Sequence, residues 1–252
     1  MNDQSLKICH IYPEVLNLYG DRGNIECLKK RLNWRGIDCS VDYIPIGEKS
    51  DFSKYDIFFI GGGQDFEQEV LLKDLNSGKG NEIKAAINDG KVFLTICGGY
   101  QIMGNYYETH DGVKCEFLGA ADFYTVGSEN RMIGNYAFEC GAESGGSVIV
   151  GFENHSGKTF LGNDISPLGK VLTGYGNNGE DSYEGIRYKN LFGSYCHGPI
   201  LPKNPAFADT LLRTALERKY GSSFLQPLPD KFENSAHDSV LQNVLNHSSG
   251  RD

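Results

Sequence analysis

The sequence has no C-x-x-C pair, few prolines, no long apolar run and a shortage of positive charge. Its seven cysteines are Cys9, Cys27, Cys39, Cys97, Cys115, Cys140 and Cys196, and even the closest two, Cys27 and Cys39, lie far apart. A zinc knuckle or a thioredoxin-type redox motif is therefore excluded, and no metal site is read. No stretch approaches roughly 18 consecutive apolar residues, so no membrane span is expected. Lys and Arg number 24 against 33 Asp and Glu, a net charge of −9. That balance argues against a nucleic-acid surface and against docking on an anionic membrane. The N-terminal stretch MNDQSLKICHIYPEV has neither the basic start nor the apolar segment of a signal peptide. With an odd number of scattered thiols, the expectation is a reduced, cytoplasmic protein whose cysteines are mostly small buried hydrophobes. Only 8 prolines and no Gly-X-Y period exclude a collagen-like chain.

What is plentiful is glycine, 32 of 252 residues, about twice the usual share near 7%. Aromatic residues make up 12% and apolar runs recur regularly, so the chain is not disordered. The glycines must be local devices at turns, helix ends and close backbone approaches. A chain of this length buries roughly 70–75% of its unfolded surface and needs no covalent staples. Residues 6–12, 39–46, 55–60 and 92–96 read as strands. Helical spacing covers 22–35, about 65–75 and 80–89. The apolar runs YDIFFI and VFLTI suit strands buried on both faces of a parallel sheet. This order predicts an α/β fold: a doubly wound, mostly parallel sheet with helices on both faces. From about 115 to 196 short runs alternate with glycine turns and read as antiparallel or mixed strands continuing the sheet. Residues 205–219 predict a helix that starts at Pro205. The expected organisation is one domain over 1–221 and a polar C-terminal tail over 222–252, with room for a short helix.

The segment Leu94-Thr95-Ile96-Cys97-Gly98-Gly99-Tyr100-Gln101 carries the most chemistry. A strand running into a cysteine, with glycines opening a helix, has the form of a nucleophile elbow. Such a turn lifts the side chain out at the carboxyl edge of the sheet, where open α/β sheets bind ligands. The following backbone N–H groups, Gly98 first, favour a thiolate and can hold an oxyanion. A second anchor is Ser194-Tyr195-Cys196-His197-Gly198-Pro199. A histidine at a strand end belongs on the same edge and can serve Cys97 as base and then acid. Cys196, its neighbour, points to the opposite face and reads as core. A third is Ile60-Gly61-Gly62-Gly63-Gln64-Asp65. It matches no phosphate-loop pattern, and Gly62 or Gly63 is better used as a second N–H aimed at the oxyanion. His155, in a loop-like Asn-His-Ser-Gly run, ranks behind His197 as base.

Cys-Gly-Gly-Tyr-Gln after an apolar strand, with a late His-Gly, resembles class I glutamine amidotransferases of the cobyric-acid-synthase-like branch. Thr95 stands where the wider class has the first glycine of its elbow. Pro199 stands where most members carry a glutamate, two residues after the histidine, an absence this branch shares. The segments LNLYGDRGNI (16–25), DIFFIGGGQD (56–65), NRMIGN (130–135), GFENHSG (151–157), GYGNN (174–178) and YKNLFGSYCHGPILPKN (188–204) are similar, as a set, to the glutaminase subunits of lipid II isoglutaminyl synthase. That resemblance covers roughly residues 8–220.

The resemblance implies a flavodoxin-like amidotransferase fold and hydrolysis of L-glutamine to glutamate and ammonia. Cys97 would form a thioester, and His197 would shuttle the proton. Gly98 and Gly63 (or Gly62) would hold the oxyanion, and Arg131 would clamp the glutamine carboxylate. An arginine suits that task because its guanidinium pairs bidentately with a carboxylate. With the usual glutamate absent, Asp21, Asp65, Glu153, a backbone carbonyl or a partner residue remains to orient His197. The chain has no ATP-binding motif, so ATP and magnesium are expected on a Mur-ligase-like synthetase partner in a heterodimer. That partner would amidate the D-glutamate α-carboxylate of lipid II. The competing readings are a glutaminase serving another acceptor such as a cobyric-acid-like one, a stand-alone cysteine hydrolase of the same fold, and a non-catalytic binding subunit.

Overall fold

The computed structural model describes residues 4–63 and 67–248. The first half builds β1 (Ser5–Ile11), α1 (Arg22–Asn33), β2 (Asp38–Ile44), β3 (Ile57–Ile60), α2 (Glu67–Asp74), α3 (Gly80–Asn88), β4 (Val92–Ile96) and the single turn α4 (Gly98–Gln101). Then come β5 (Tyr106–Glu108), β6 (Lys114–Glu116), the long β7 (Phe123–Cys140) and β8 (Val148–Leu161), β9 (Gly169–Thr173) and β10 (Tyr183–Glu184). The chain closes with β11 (Ile186–Tyr188), β12 (Leu191–Ser194), α5 (Ile200–Lys203), α6 (Pro205–Tyr220) and α7 (Lys231–Ser248).

The first sheet has the order β11-β12-β4-β3-β1-β2. Its strands run parallel except β11, which is antiparallel to β12. This is the doubly wound α/β arrangement that the alternation of buried strands and amphipathic helices dictates. Every residue of β3, β4 and β12 is buried, as a parallel strand covered on both faces must be. Phe58 stacks on Phe93 at 4.4 Å on one face. On the other, Phe192 meets Phe207 of α6 edge to face at 5.8 Å. The chain leaves β1 toward β2 on one side, while β3, β4 and β12 lie on the other. The loops after β1 and β3 therefore part at a topological switch point, where such sheets form their binding crevice.

The strands of the second half divide between two sheets rather than simply continuing the first. Only β11 and β12 extend it. The others form a second sheet, β10-β9-β7-β5-β6, with β8 on β7. The reason lies in the length of β7 and β8, whose hairpin pairs from Phe123↔Leu161 to Glu139↔Val148. A ribbon that long buries its own alternate residues and needs no place at the edge of the first sheet. The register slips between Gly127 and Met132, so that residues 128–131 face only Ser156. The two sheets are joined by the bridges Phe152↔His197 and Ser166↔Arg187.

After Gly221, which ends α6 with φ +66°, the chain crosses back over α1. Arg31 of α1 holds Asp209 of α6 through Nε at 2.7 Å and Nη2 at 2.8 Å, and reaches Asp230 at 2.7 Å. Arg35 adds a bond to Asp209 Oδ2 at 2.6 Å and one to the Gln226 carbonyl at 2.6 Å. This ties the connection before α7 to the body. The helix α7 then lays Val244 against Ala137 and Val150 of the second sheet. Among the described residues no helix is long and apolar enough to cross a membrane.

Asp209 is buried between two guanidinium groups that have lost their water. Asp209→Ala leaves both cations without that partner, and about 3–5 kcal/mol of stability should be lost. Urea unfolding of the variant against the native chain measures it. A loss under about 1 kcal/mol would show that solvent reaches the arginines.

Candidate active site

Cys97 follows β4 directly and adopts φ +50°, ψ −111°, a conformation that costs a residue with a Cβ about 1–3 kcal/mol. The surroundings hold it there. Its N–H donates to the Ser194 carbonyl at 2.9 Å, and Gly99 N–H donates to Gly61 O at 3.1 Å. Gly99 must be glycine, since a Cβ would fall 2.6 Å from Gly61 O and 2.7 Å from Ile60 O. The loops after β3 and β4 thus touch backbone to backbone. Cys97 is 8% exposed. Among the described residues the other cysteines are unpaired, and all are buried or half-buried. Burial pushes the thiols of Cys27 and Cys140 up to about 12. Cys196 is fully buried in the core, as its alternation with His197 predicts.

His197 comes three residues after β12 and is fully buried. Its backbone is clipped to β8: its N–H donates to Phe152 O at 2.8 Å, and Phe152 N–H returns a bond at 3.4 Å. The ring, Cys97 and Asp21 converge on Gly62. A Cβ there would lie 2.6 Å from His197 Cε1, 3.3 Å from Cys97 Cβ and 3.3 Å from Asp21 Oδ2. His197 Nδ1 and Asp21 Oδ1 face each other at 3.7 Å, and neither has a hydrogen-bond partner among the described residues. Burial by itself would depress the imidazolium. Asp21 and then the Cys97 sulfur outweigh it and raise the His197 pKa to about 10.

Of the candidate carboxylates among the described residues, Asp21 is the one beside His197. Glu153 accepts from the N–H groups of Tyr175 at 2.8 Å and Gly176 at 3.0 Å, and serves the turn after β9. Asp65 lies outside the described residues. His155 stacks flat on Tyr195 at 3.6 Å, with Nδ1 2.8 Å from Gly157 O, and belongs to packing. The glycines also separate. Gly62 N–H is committed to Asp21 Oδ2 at 2.7 Å, so of the two alternatives at this turn it is the poorer oxyanion donor. Gly63 N lies 3.3 Å from where a Cβ of Gly98 would be, and neither Gly63 nor Gly98 donates its N–H within the described residues. Among those residues no three His, Cys, Asp or Glu side chains gather as a metal site.

Arg131 closes the bulge of β7. Its Nε donates to Asn154 Oδ1, and Asn154 Nδ2 donates to the Tyr19 hydroxyl. The Tyr19 ring meets His197 edge to face at 4.8 Å and Phe152 at 5.8 Å. Arg131, remote from His197 in sequence, is therefore linked to it through two side chains. Sequence reasoning missed both. Tyr19 and Asn154 fall inside segments that look family-like, but no periodicity or spacing distinguishes them there.

On this doubly wound α/β fold a thiol on a strained strand-to-helix turn, a histidine beside it and spare N–H groups from two loops meet at one sheet edge. The chain belongs to the CobB/CobQ-like glutamine amidotransferase family, whose domain matches residues 7–205. It is 46% identical over 243 residues to the GatD subunit of the glutamine-hydrolysing lipid II isoglutaminyl synthase of Staphylococcus aureus, covering 96% of each chain. It is 44% identical to the subunit of the same name from Streptococcus pneumoniae, covering 88% of this chain and 85% of that one. In fold it is similar to a glutamine amidotransferase structure from Thermotoga maritima, with a TM-score of 0.55 at 17% identity over 97% of this chain and 98% of that one. The chain is thus an enzyme subunit of the glutamine amidotransferase class.

The raised pKa of His197 has a direction that can be checked. Its ordinary value is 6.5 and its folded value about 10. Its contribution to stability is therefore complete below about 6.5 and lost as the pH rises through about 10. Asp21→Asn removes the first favourable partner, so burial should then dominate and the His197 pKa should fall. Histidine NMR titration reads the shift, and urea unfolding from pH 6 to 10.5 should show a flatter alkaline loss in the variant. An unchanged titration would remove Asp21 from the site.

Proposed function

We propose that this chain hydrolyses L-glutamine to glutamate and ammonia, as the glutaminase subunit of a lipid II isoglutaminyl synthase. The observation that carries the reading is the convergence of Cys97, His197 and Asp21 on Gly62, with Arg131 linked to the same pair. The Cys97 thiolate adds to the side-chain amide carbon of glutamine. The carbonyl oxygen becomes an oxyanion between the N–H groups of Gly98 and Gly63. The His197 imidazolium gives its proton to the amide nitrogen, the C–N bond breaks and ammonia leaves. Water then adds to the thioester with His197 as base, the C–S bond breaks, and glutamate departs from a regenerated thiol. Arg131 holds the α-carboxylate, and Asp21 keeps the imidazole charged and oriented.

Ammonia released into water at neutral pH becomes ammonium, which is no nucleophile. A useful glutaminase of this kind therefore works against an acceptor site. In our reading that site belongs to a Mur-ligase-like synthetase subunit, which binds ATP and magnesium and activates the D-glutamate α-carboxylate of lipid II. The complex is a heterodimer in the cytoplasm, and this chain reaches lipid II through its partner. The names of the two GatD relatives, with near-complete coverage of the Staphylococcus aureus chain, support this assignment.

Ammonia release from glutamine, with and without the synthetase, tests the proposal. Cys97→Ala should lose on the order of 10⁴-fold or more in turnover. Persistent activity would overturn the nucleophile. Arg131→Ala should raise KM for glutamine about 10- to 100-fold, the worth of a charged hydrogen bond, with the fold retained. Failure of the two subunits to co-purify, or of the pair to amidate lipid II, would return the acceptor to the open alternatives.

A further inference from the structure

The loop between β1 and α1 carries two residues that touch His197 from different sides. Asp21 is fully buried behind it, whereas Tyr19 lies over it and is 46% exposed. Tyr19 is held at φ +54°, ψ +25°, a left-handed conformation disfavoured for a bulky side chain. The loop is pinned at both ends. Leu18 N–H donates to Gly62 O at 3.1 Å, and Asn17 Oδ1 accepts from Arg22 N–H at 2.9 Å. So the strained residue is fixed in place, and its ring projects across the mouth of the site.

What the ring reaches gives it a purpose. Its hydroxyl accepts from Asn154 Nδ2, and Asn154 Oδ1 accepts from Arg131 Nε. An amide that donates to one partner from its nitrogen and accepts from another at its oxygen has one orientation. Asn154 is thereby locked, and it occupies the inner edge of the guanidinium. Only the two terminal nitrogens of Arg131 remain for a ligand. Arg131 itself is exposed and sits at a bulge, and among the described residues Asn154 is the side chain that fixes its direction.

We propose that Tyr19 is a positioning residue that sets glutamine specificity: through Asn154 it aims the two terminal nitrogens of Arg131 at the α-carboxylate. This rests on the glutaminase reading above and deepens it. The carboxylate is then held end-on at a fixed distance from Cys97, so that only a chain of the length of glutamine brings its side-chain amide to the sulfur. The Tyr19 ring, against His197 and Phe152, closes the near side of the site.

Tyr19→Phe keeps the ring and removes the hydroxyl. With glutamine as substrate, KM should rise about 3- to 10-fold with kcat little changed. With 4-aminobutanamide, which keeps the reacting amide and lacks the α-carboxylate, Tyr19→Phe should change neither constant. In an Arg131→Ala background, Tyr19→Phe should have no further effect on KM. An unchanged glutamine KM in Tyr19→Phe, an equal rise with the truncated amide, or full additivity with Arg131→Ala would each overturn the proposal. Alkylation of Cys97 by 6-diazo-5-oxo-L-norleucine, followed by mass spectrometry, separates this from failure of the parent reading. A native chain that neither reacts with the diazoketone nor releases ammonia from glutamine overturns both. A native chain that does, with Tyr19→Phe indistinguishable from it, overturns only the role of Tyr19.

Discussion

A charged imidazole in a buried site must have an anion beside it, and most of the architecture around residue 197 follows from that demand. Asp21 supplies the anion and is itself fully buried, so its oxygens need donors in turn. One oxygen takes the Gly62 N–H at 2.7 Å; the other faces His197. The backbone of Gly62 must come close enough to make that bond. It then has His197 Cε1 where its own Cβ would stand, so no other residue fits. The glycine run after β3 is the geometric consequence of packing an ion pair against a sheet edge. It also leaves the next N–H, that of Gly63, turned toward the elbow.

The two sheets divide the labour. The parallel sheet brings Cys97 and the free N–H groups of Gly63 and Gly98 together, because the ends of β3 and β4 lie side by side and their loops touch. The second sheet fixes His197 through the Phe152 bridge and, by the bulge in β7 and the odd–even alternation of β8, puts Arg131 and Asn154 on the side of Phe152. Residues 153, 155 and 157 on the other side pack inward against Tyr195, Gln101 and the turn after β9. A register slip of one residue in this hairpin would exchange the two sets, which explains why the ribbon is long.

The parts of the site readable from sequence were those where one short segment determines the geometry. A cysteine between a buried strand run and two glycines has the form of an elbow, although a plain tight turn has the same pattern, and a histidine ending a second such run falls on the same edge. The glycine turn at 61–63 was legible as a close approach, although which N–H was spare depended on Asp21, more than 40 positions earlier in the chain. Tyr19 meets Asn154, and Asp21 meets His197, across more than a hundred positions of the chain, and nothing in hydrophobic period or turn chemistry encodes such pairings. The switch-point rule could have narrowed the search, since it directs attention to the loop after β1. The second sheet was hidden for another reason. Short runs separated by glycines have the same pattern whether they extend one sheet or build another, and only the length of the 123–161 hairpin decides.

The missing glutamate of the wider class also has a spatial explanation. Pro199 occupies its sequence position, and its ring lies against Gly23, 2.5 Å from where a Cβ would be. Gly23 is two residues past Asp21, at the start of α1. A carboxylate after the histidine would lie against the start of α1, two residues past Asp21, and two carboxylates held close together raise the pKa of one of them. With proline there, the corner is apolar on one side and Asp21 lies on the other. Moving the carboxylate into the loop after β1 also puts it two residues from Tyr19. In our reading the group that orients the base and the group that aims the substrate clamp then share one pinned loop. A glutamate following the histidine could not couple them in this way.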